Sequence, residues 1–157
     1  MCSLFIHQLA VPHSGHACMG GKRFSCTNST FSAINGSSAC EYAQRGHTIV
    51  TNAFGLGIDQ VQCSTGTFEV RRSTCEHCPL GTYNEFEGKG DAKYCEVCMD
   101  HGNTSFTGST AASDCFCDIG FYLDGAECKD CPDDANCTEA GLSLATLPLN
   151  GPVNGAS

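Results

Sequence analysis

"CEHCPLGTYNEFEGKGDAKYCEVC", residues 75–98, sets two C-x2-C pairs sixteen residues apart, and that spacing supports two incompatible chemistries. Four thiolates so spaced can be drawn by two tight turns into a zinc tetrahedron. The same sulfurs can instead be the rungs of a disulfide ladder. Zinc would make this an intracellular interaction module, whereas bridges belong to an oxidising, extracellular compartment.

Outward from this stretch the pattern continues as Cys115, Cys117, Cys128, Cys131 and Cys137. These spacings close no second four-ligand set, and nine thiols do not divide into zinc sites. The whole chain holds 14 cysteines and 18 glycines in 157 residues, with no tryptophan, a composition typical of disulfide scaffolds. A chain of this composition buries little apolar core, which predicts several very small domains held by covalent staples. The net charge of -9 opposes phosphate backbones and anionic membrane faces, so no nucleic-acid partner is expected. There is no apolar run long enough to span a bilayer. The start, "MCSLFIHQLAV", lacks a basic n-region and is no clear signal peptide; a chain cut from a larger membrane protein would reconcile this with an extracellular or cell-surface location.

N-x-[ST] acceptors occur at Asn28, Asn35, Asn103 and Asn136, an excess over chance that suits a secreted glycoprotein. The Cys inside the last makes it a poorer acceptor. Asn28 and Asn103 lie among Ser, Thr and Gly in expected turns, where a glycan has room.

From Cys63 onward, long intervals between cysteines alternate with intervals of one or two residues. Each long interval reads as a closed loop and each short one as a joint, because a single bridge does not usually span two residues. Neighbour pairing gives Cys63 with Cys75, Cys78 with Cys95, Cys98 with Cys115, Cys117 with Cys128, and Cys131 with Cys137. Each loop would then be an independent staple with little contact to distant loops. The rival is an interleaved pattern that cross-links adjacent loops.

The stretch "CEHCPLGTYN…C.VC…TSFTGSTAASDCFC" resembles the ephrin-receptor-like (GCC) cysteine-rich repeat over residues 75–117, on Pro79, Gly81, Thr82, Tyr83, Thr107, Gly108, Cys115 and Cys117. Tumour-necrosis-factor-receptor modules share its C-P-x-G-T-Y turn. "CFCDIGFYLDGAEC" is similar to the last loop of an epidermal-growth-factor-like module, which implies closure of Cys117 on Cys128; the acidic box of calcium-binding members is missing, so neither calcium nor another cofactor is expected. "CTNSTFSAINGSSACEYA", residues 26–43, aligns with the same repeat in decayed form, with Phe31 at the Tyr83 position, Cys40 at Cys95 and Ala43 where Cys98 would stand. That alignment pairs Cys26 with Cys40, leaves Cys2 for Cys18, and makes residues 41–62 the longest bridge-free, most protease-sensitive stretch. "CPDDANC" with "TEAGLSLATLPLNGPVNGAS" resembles the stretch that follows such repeats, ahead of a transmembrane region, in large membrane proteins of unicellular eukaryotes.

The expected fold is small and disulfide-rich, an elongated modular array of short β-hairpins and irregular loops with little helix. Its parts are an unassigned segment 1–25, a degenerate repeat 26–74, the ephrin-receptor-like repeat 75–117, an EGF-like half-module with a terminal loop 117–137, and a linker 138–157. "TFEVRRS" and "GFYLDGAE" are candidate ribbons, the first from the alternation of Phe68 and Val70. Tyr83, Phe86, Phe106, Phe116, Phe121 and Tyr122 are expected to form small local cores.

Other chemistry reads more weakly. His7, His13, His16 and Cys18 could ligate a metal, but scattered histidines at a terminus are the simpler reading, and no metal site is expected. His77 or His101 could orient a nucleophilic thiolate, yet a bridged sulfur cannot attack. Redox-active C-x2-C pairs need an α/β setting missing here. "KGD", residues 89–91, is similar to an integrin-binding tripeptide but reads first as a solvated turn. The sequence thus describes a non-enzymatic extracellular spacer or binding surface of a receptor-like or adhesive protein, its partner an unidentified protein or glycan, reaching a membrane only through a parent chain. The alternative is a cytosolic zinc module built on Cys75, Cys78, Cys95 and Cys98.

Overall fold

The computed structural model describes residues 14–34 and 37–149. Their regular structure is fourteen short strands joined consecutively into seven two-stranded ribbons. These are β1 (His16–Met19) with β2 (Lys22–Ser25), β3 (Thr30–Phe31) with β4 (Glu41–Tyr42), β5 (His47–Thr51) with β6 (Gly57–Gln62), and β7 (Thr67–Arg71) with β8 (Thr74–His77). They continue as β9 (Thr82–Tyr83) with β10 (Glu96–Val97), β11 (Gly102–Thr104) with β12 (Cys115–Cys117), and β13 (Phe121–Asp124) with β14 (Glu127–Asp130). The only helical turns among the described residues are three-residue 3-10 pieces at Ala92–Tyr94 and Ala112–Asp114.

One turn recurs and explains why these sequences make hairpins. Four residues after a cysteine, a backbone N–H donates to the carbonyl one residue after it: Thr30 to Thr27, Thr67 to Ser64, Thr82 to Pro79, Gly102 to Met99 and Phe121 to Asp118. The residue between sits at positive φ, a conformation that glycine adopts freely. Gly66, Gly81 and Gly120 fill it, but so do Ser29 (φ 69°) and His101 (φ 60°). Where threonine follows, its hydroxyl donates to the same carbonyl, at 2.6 Å in Thr30 and Thr67 and 2.7 Å in Thr82. The degenerate stretch keeps this geometry. Phe31 pairs with Glu41 as Tyr83 pairs with Glu96, and Ala43 donates to the Ser29 carbonyl as Cys98 does to Gly81.

Six bridges hold the turns, each between neighbours in the chain: Cys26–Cys40, Cys63–Cys75, Cys78–Cys95, Cys98–Cys115, Cys117–Cys128 and Cys131–Cys137, with Cα separations of 5.5 to 6.0 Å. Cys18 is also disulfide-bonded; Cys2, expected as its partner, lies outside the described residues, as do Asn35, His7, His13 and the tail beyond Leu149.

The loops are not independent staples. The carbonyl of the first cysteine of a turn accepts an N–H from a glycine well downstream: Gly57 to Cys26, Gly88 to Cys63, Gly108 to Cys78 and Gly141 to Cys117. Three of these latches are doubled, because the sixth residue after the cysteine donates to the carbonyl following that glycine, Glu69 to Lys89, Asn84 to Ser109 and Leu123 to Leu142. Each latch brings a later loop back over an earlier one. The linker expected from residue 138 is accordingly docked as far as Pro148, whose carbonyl accepts the Asn136 N–H.

The core differs from expectation too. Cys26, Cys63, Cys78 and Cys117 are among the most deeply buried side chains, with Asn84 and Ser109 beside them in rank. Among the described aromatics, only Phe31 and Phe68 are buried. Phe86 and Phe106 are exposed, whereas Tyr83, Phe116, Phe121 and Tyr122 are half-buried. Ribbons two strands wide have no depth for large rings, and compact cystines take the interior. The alternation read in "TFEVRRS" also fails: Thr67, Phe68 and Glu69 are all buried and Val70 is exposed.

Contacts divide the chain into two compact units, Met1–Glu76 with Phe86–Tyr94 (unit 1), and His77–Glu85 with Cys95–Ser157 (unit 2). Residues 86–94, inside the Cys78–Cys95 loop, therefore belong to unit 1.

Candidate binding surface

The sulfurs of Cys75, Cys78, Cys95 and Cys98 sit in three bridges, Cys78 with Cys95 across the loop and Cys75 and Cys98 with Cys63 and Cys115 outside that set, which leaves no thiolate for zinc. There is no free cysteine beside His77 or His101 among the described residues. His77 instead packs against Gly108, where a Cβ would lie 2.5 Å from its ring, and His101 stacks on Phe121 at 3.9 Å between centroids.

Unit 1 carries the more distinctive surface, and a buried carboxylate organises it. Glu69, on β7, is only 9% exposed and accepts the N–H of Gly46 at 2.7 Å and of Ser73 at 3.1 Å. Those two bonds satisfy donors that would otherwise be buried unpaired. They also fix the loop carrying Arg45 and the turn carrying Arg71 and Arg72. Gly46 stands at φ +80°, where an added Cβ would overlap the Gly88 carbonyl.

Around this anchor, two adjoining grooves of about 490 and 340 Å³ share Arg45 and Gly90. Arg71, Arg72 and Tyr42 line the first, and Lys89, Lys93 and Tyr94 the second. Five of the chain's eight basic residues thus line one surface. Arg45 is held by the Gly90 carbonyl at 2.9 Å and the Asp91 carboxylate at 3.4 Å. The other four meet ring faces or solvent, with no acid partner among the described residues. Arg72 lies 4.7 Å from the Tyr42 centroid; Lys89 is the same distance from both Phe86 and Tyr94, and Lys93 is 5.3 Å from Tyr94. Ring faces attract and orient these cations without neutralising them. The "KGD" tripeptide lies here, its carboxylate engaged by Arg45 and by the Lys93 N–H.

Unit 2 is the electrostatic opposite. It holds eleven acidic residues and a single basic one, Lys129, against six acidic and seven basic in unit 1. Lys129 pairs with Asp124, which raises its pKa. Tyr83 is also raised, first by desolvation and then by its hydrogen bond to Glu96 at 3.1 Å. Sequence reasoning missed the basic surface because Arg45, Arg71, Arg72 and Lys93 are scattered along the chain. One signal was available: seven of the eight basic residues precede Cys95.

Among the acceptor asparagines Asn28 adjoins this surface, since the hydroxyl of its neighbour Ser29 donates to the Arg72 carbonyl at 3.1 Å. Asn28 and Asn136 are exposed, and Asn103 is half-buried on β11 opposite Phe116.

Chained two-stranded ribbons stapled by neighbouring cystines define a small disulfide-rich protein. Within that class, residues 66–115 match the family described as tyrosine-protein kinase ephrin type A/B receptor-like, and the chain is a cysteine-rich repeat protein. It is 28% identical over 141 residues to cysteine repeat modular protein A of Toxoplasma gondii, covering 84% of this chain and 4% of that protein. It is 40% identical over 60 residues to the sushi, von Willebrand factor type A, EGF and pentraxin domain-containing protein 1 of Rattus norvegicus, covering 37% of this chain and 2% of that one. The Mus musculus counterpart is 35% identical over 77 residues. The chain therefore spans only a few hundredths of the length of these relatives.

Proposed function

We propose that this chain is a non-enzymatic module of an extracellular or cell-surface ectodomain, spacing and presenting binding surfaces within a receptor-like or adhesive protein. The observation that carries the reading is the complete use of the described cysteines in bridges, a state that persists in oxidising compartments. The modular names of the relatives support it. Latched, bridged ribbons are suited to holding surfaces in fixed geometry, and among the described cysteines no thiolate is left to serve as a nucleophile. Asn28 and Asn103 are the proposed glycan sites, and the ligand is a protein or glycan.

Secretion of the chain from eukaryotic cells tests this. We expect no titratable thiol in denaturant without reductant, no bound zinc, and a mass loss on N-glycosidase treatment that Asn28→Gln and Asn103→Gln diminish. Free thiols with stoichiometric zinc in a folded cytosolic product would replace the reading with the zinc module.

A further inference from the structure

We propose that the basic surface of unit 1 docks the acidic Cys131–Cys137 region of a second copy of this chain, head to tail. This rests on reading the chain as a module that presents binding surfaces, and it names the partner.

Both halves of the contact are visible in one molecule. The donor side is the pair Arg71 and Arg72, exposed at the end of β7, with Lys89 and Lys93 in the adjoining groove. The orientation of Arg72, Lys89 and Lys93 is set before any partner arrives, by Tyr42, Phe86 and Tyr94, so little of their side-chain freedom is lost on binding. The acceptor side is the adjacent pair Asp133 and Asp134, on the loop closed by Cys131–Cys137 and flanked by Glu127, Asp130 and Glu139. All five acids are exposed, and none forms an ion pair among the described residues, although Glu127 acts on Lys129 at longer range. Adjacent arginines on a fixed turn facing adjacent aspartates on a stapled loop can form charge-assisted, bidentate pairs.

Two copies each carrying -9 repel at long range. At physiological ionic strength charges more than about 8 Å apart are largely screened, and contact-range complementarity decides the geometry. That geometry is heterologous, because the two surfaces differ, so it can propagate beyond a pair.

Sedimentation velocity on the full chain tests it, with one variant reversing each surface: Arg71→Glu with Arg72→Glu, and Asp133→Arg with Asp134→Arg. The wild type should self-associate at about 0.15 M salt, with its association constant at least about tenfold weaker at 1 M. Each variant alone should be monomeric. Mixed in equal amounts, they should associate again, because Arg71 and Arg72 of one variant meet Asp133 and Asp134 of the other and the two reversed surfaces are complementary as well. Absence of free thiols checks folding, and Arg71→Gln with Arg72→Gln replaces the reversal if that variant fails the check. A wild type still monomeric at about 1 mM overturns the proposal, as do variants that each self-associate. So does a monomeric wild type whose Arg71 and Arg72 bind heparin, which would assign the surface to a sulfated polysaccharide. In that case the ectodomain reading, which depends on thiols and zinc, would still stand.

Discussion

Residues 41–62 and residues 78–117 solve the same problem with different chemistry. The second stretch is cut into short loops by Cys78–Cys95 and Cys98–Cys115, and its ribbons β9–β10 and β11–β12 pair only two and three residues a side. The first has no bridge, yet it contains β5–β6, whose register runs from His47 opposite Gln62 to Thr51 opposite Gly57 across a bulge. Where a joint lost a cysteine, at Ala43, a longer hydrogen-bonded ribbon stands. Bridges and ladder pairs both oppose chain entropy, the first by restricting the unfolded state and the second by rewarding the folded one. The bridge-free stretch expected to be the most protease-sensitive thus holds the longest ribbon.

Removing one device from each side tests that equivalence. The largest effect should come from Cys78→Ala with Cys95→Ala, which deletes a bridge whose first sulfur is fully buried. Denaturant unfolding should lose about 2 to 5 kcal/mol; a loss below about 0.5 kcal/mol would mean that the latches alone hold this loop. On the unbridged side, Gly46→Ala forces a side chain into positive φ against the Gly88 carbonyl. It should cost about 1 to 3 kcal/mol, with faster hydrogen exchange concentrated in 44–62. An effect confined to unit 2 would break the comparison.

The smallest effect concerns Tyr83. Its raised pKa means that the folded state disfavours the phenolate, so its contribution is fully present below the ordinary tyrosine value of about 10 and is lost as pH rises through the folded value. Stability should decline slightly above about pH 10, and Tyr83→Phe should flatten that decline. An unchanged alkaline limb in the variant would place its origin elsewhere.

Much of the fold was legible because it is local. A cysteine followed at fixed spacing by Gly-Thr-Tyr specifies a turn by backbone freedom and a threonine hydroxyl, and these need no distant partner. Even the decayed copy was betrayed by Phe31 and Cys40. The latches were not legible, because their groups are backbone amides that every residue carries, and Gly108 stood out only as a motif position. Gly57, Gly88 and Gly141 look like ordinary loop glycines until the chain is folded. Phe86 and Phe106 were misread because apolar character alone does not say whether cystines have already filled the interior. The basic surface was half legible: the charge imbalance along the chain shows in a count, but convergence of Arg45 with Arg71 and Arg72 depends on Glu69, which in sequence is just one more acid.

The latches also impose an order on synthesis. A ribosome delivers Cys26 and Cys40 before Gly57, and Cys63 and Cys75 before Gly88, so each bridge can close while the glycine that completes its turn is still unmade. Oxidation then acts on an open hairpin, and the arriving glycine locks a turn whose sulfurs are already joined. Neighbour pairing is the connectivity such a timetable favours, since the nearest earlier thiol is the one waiting when each new cysteine emerges.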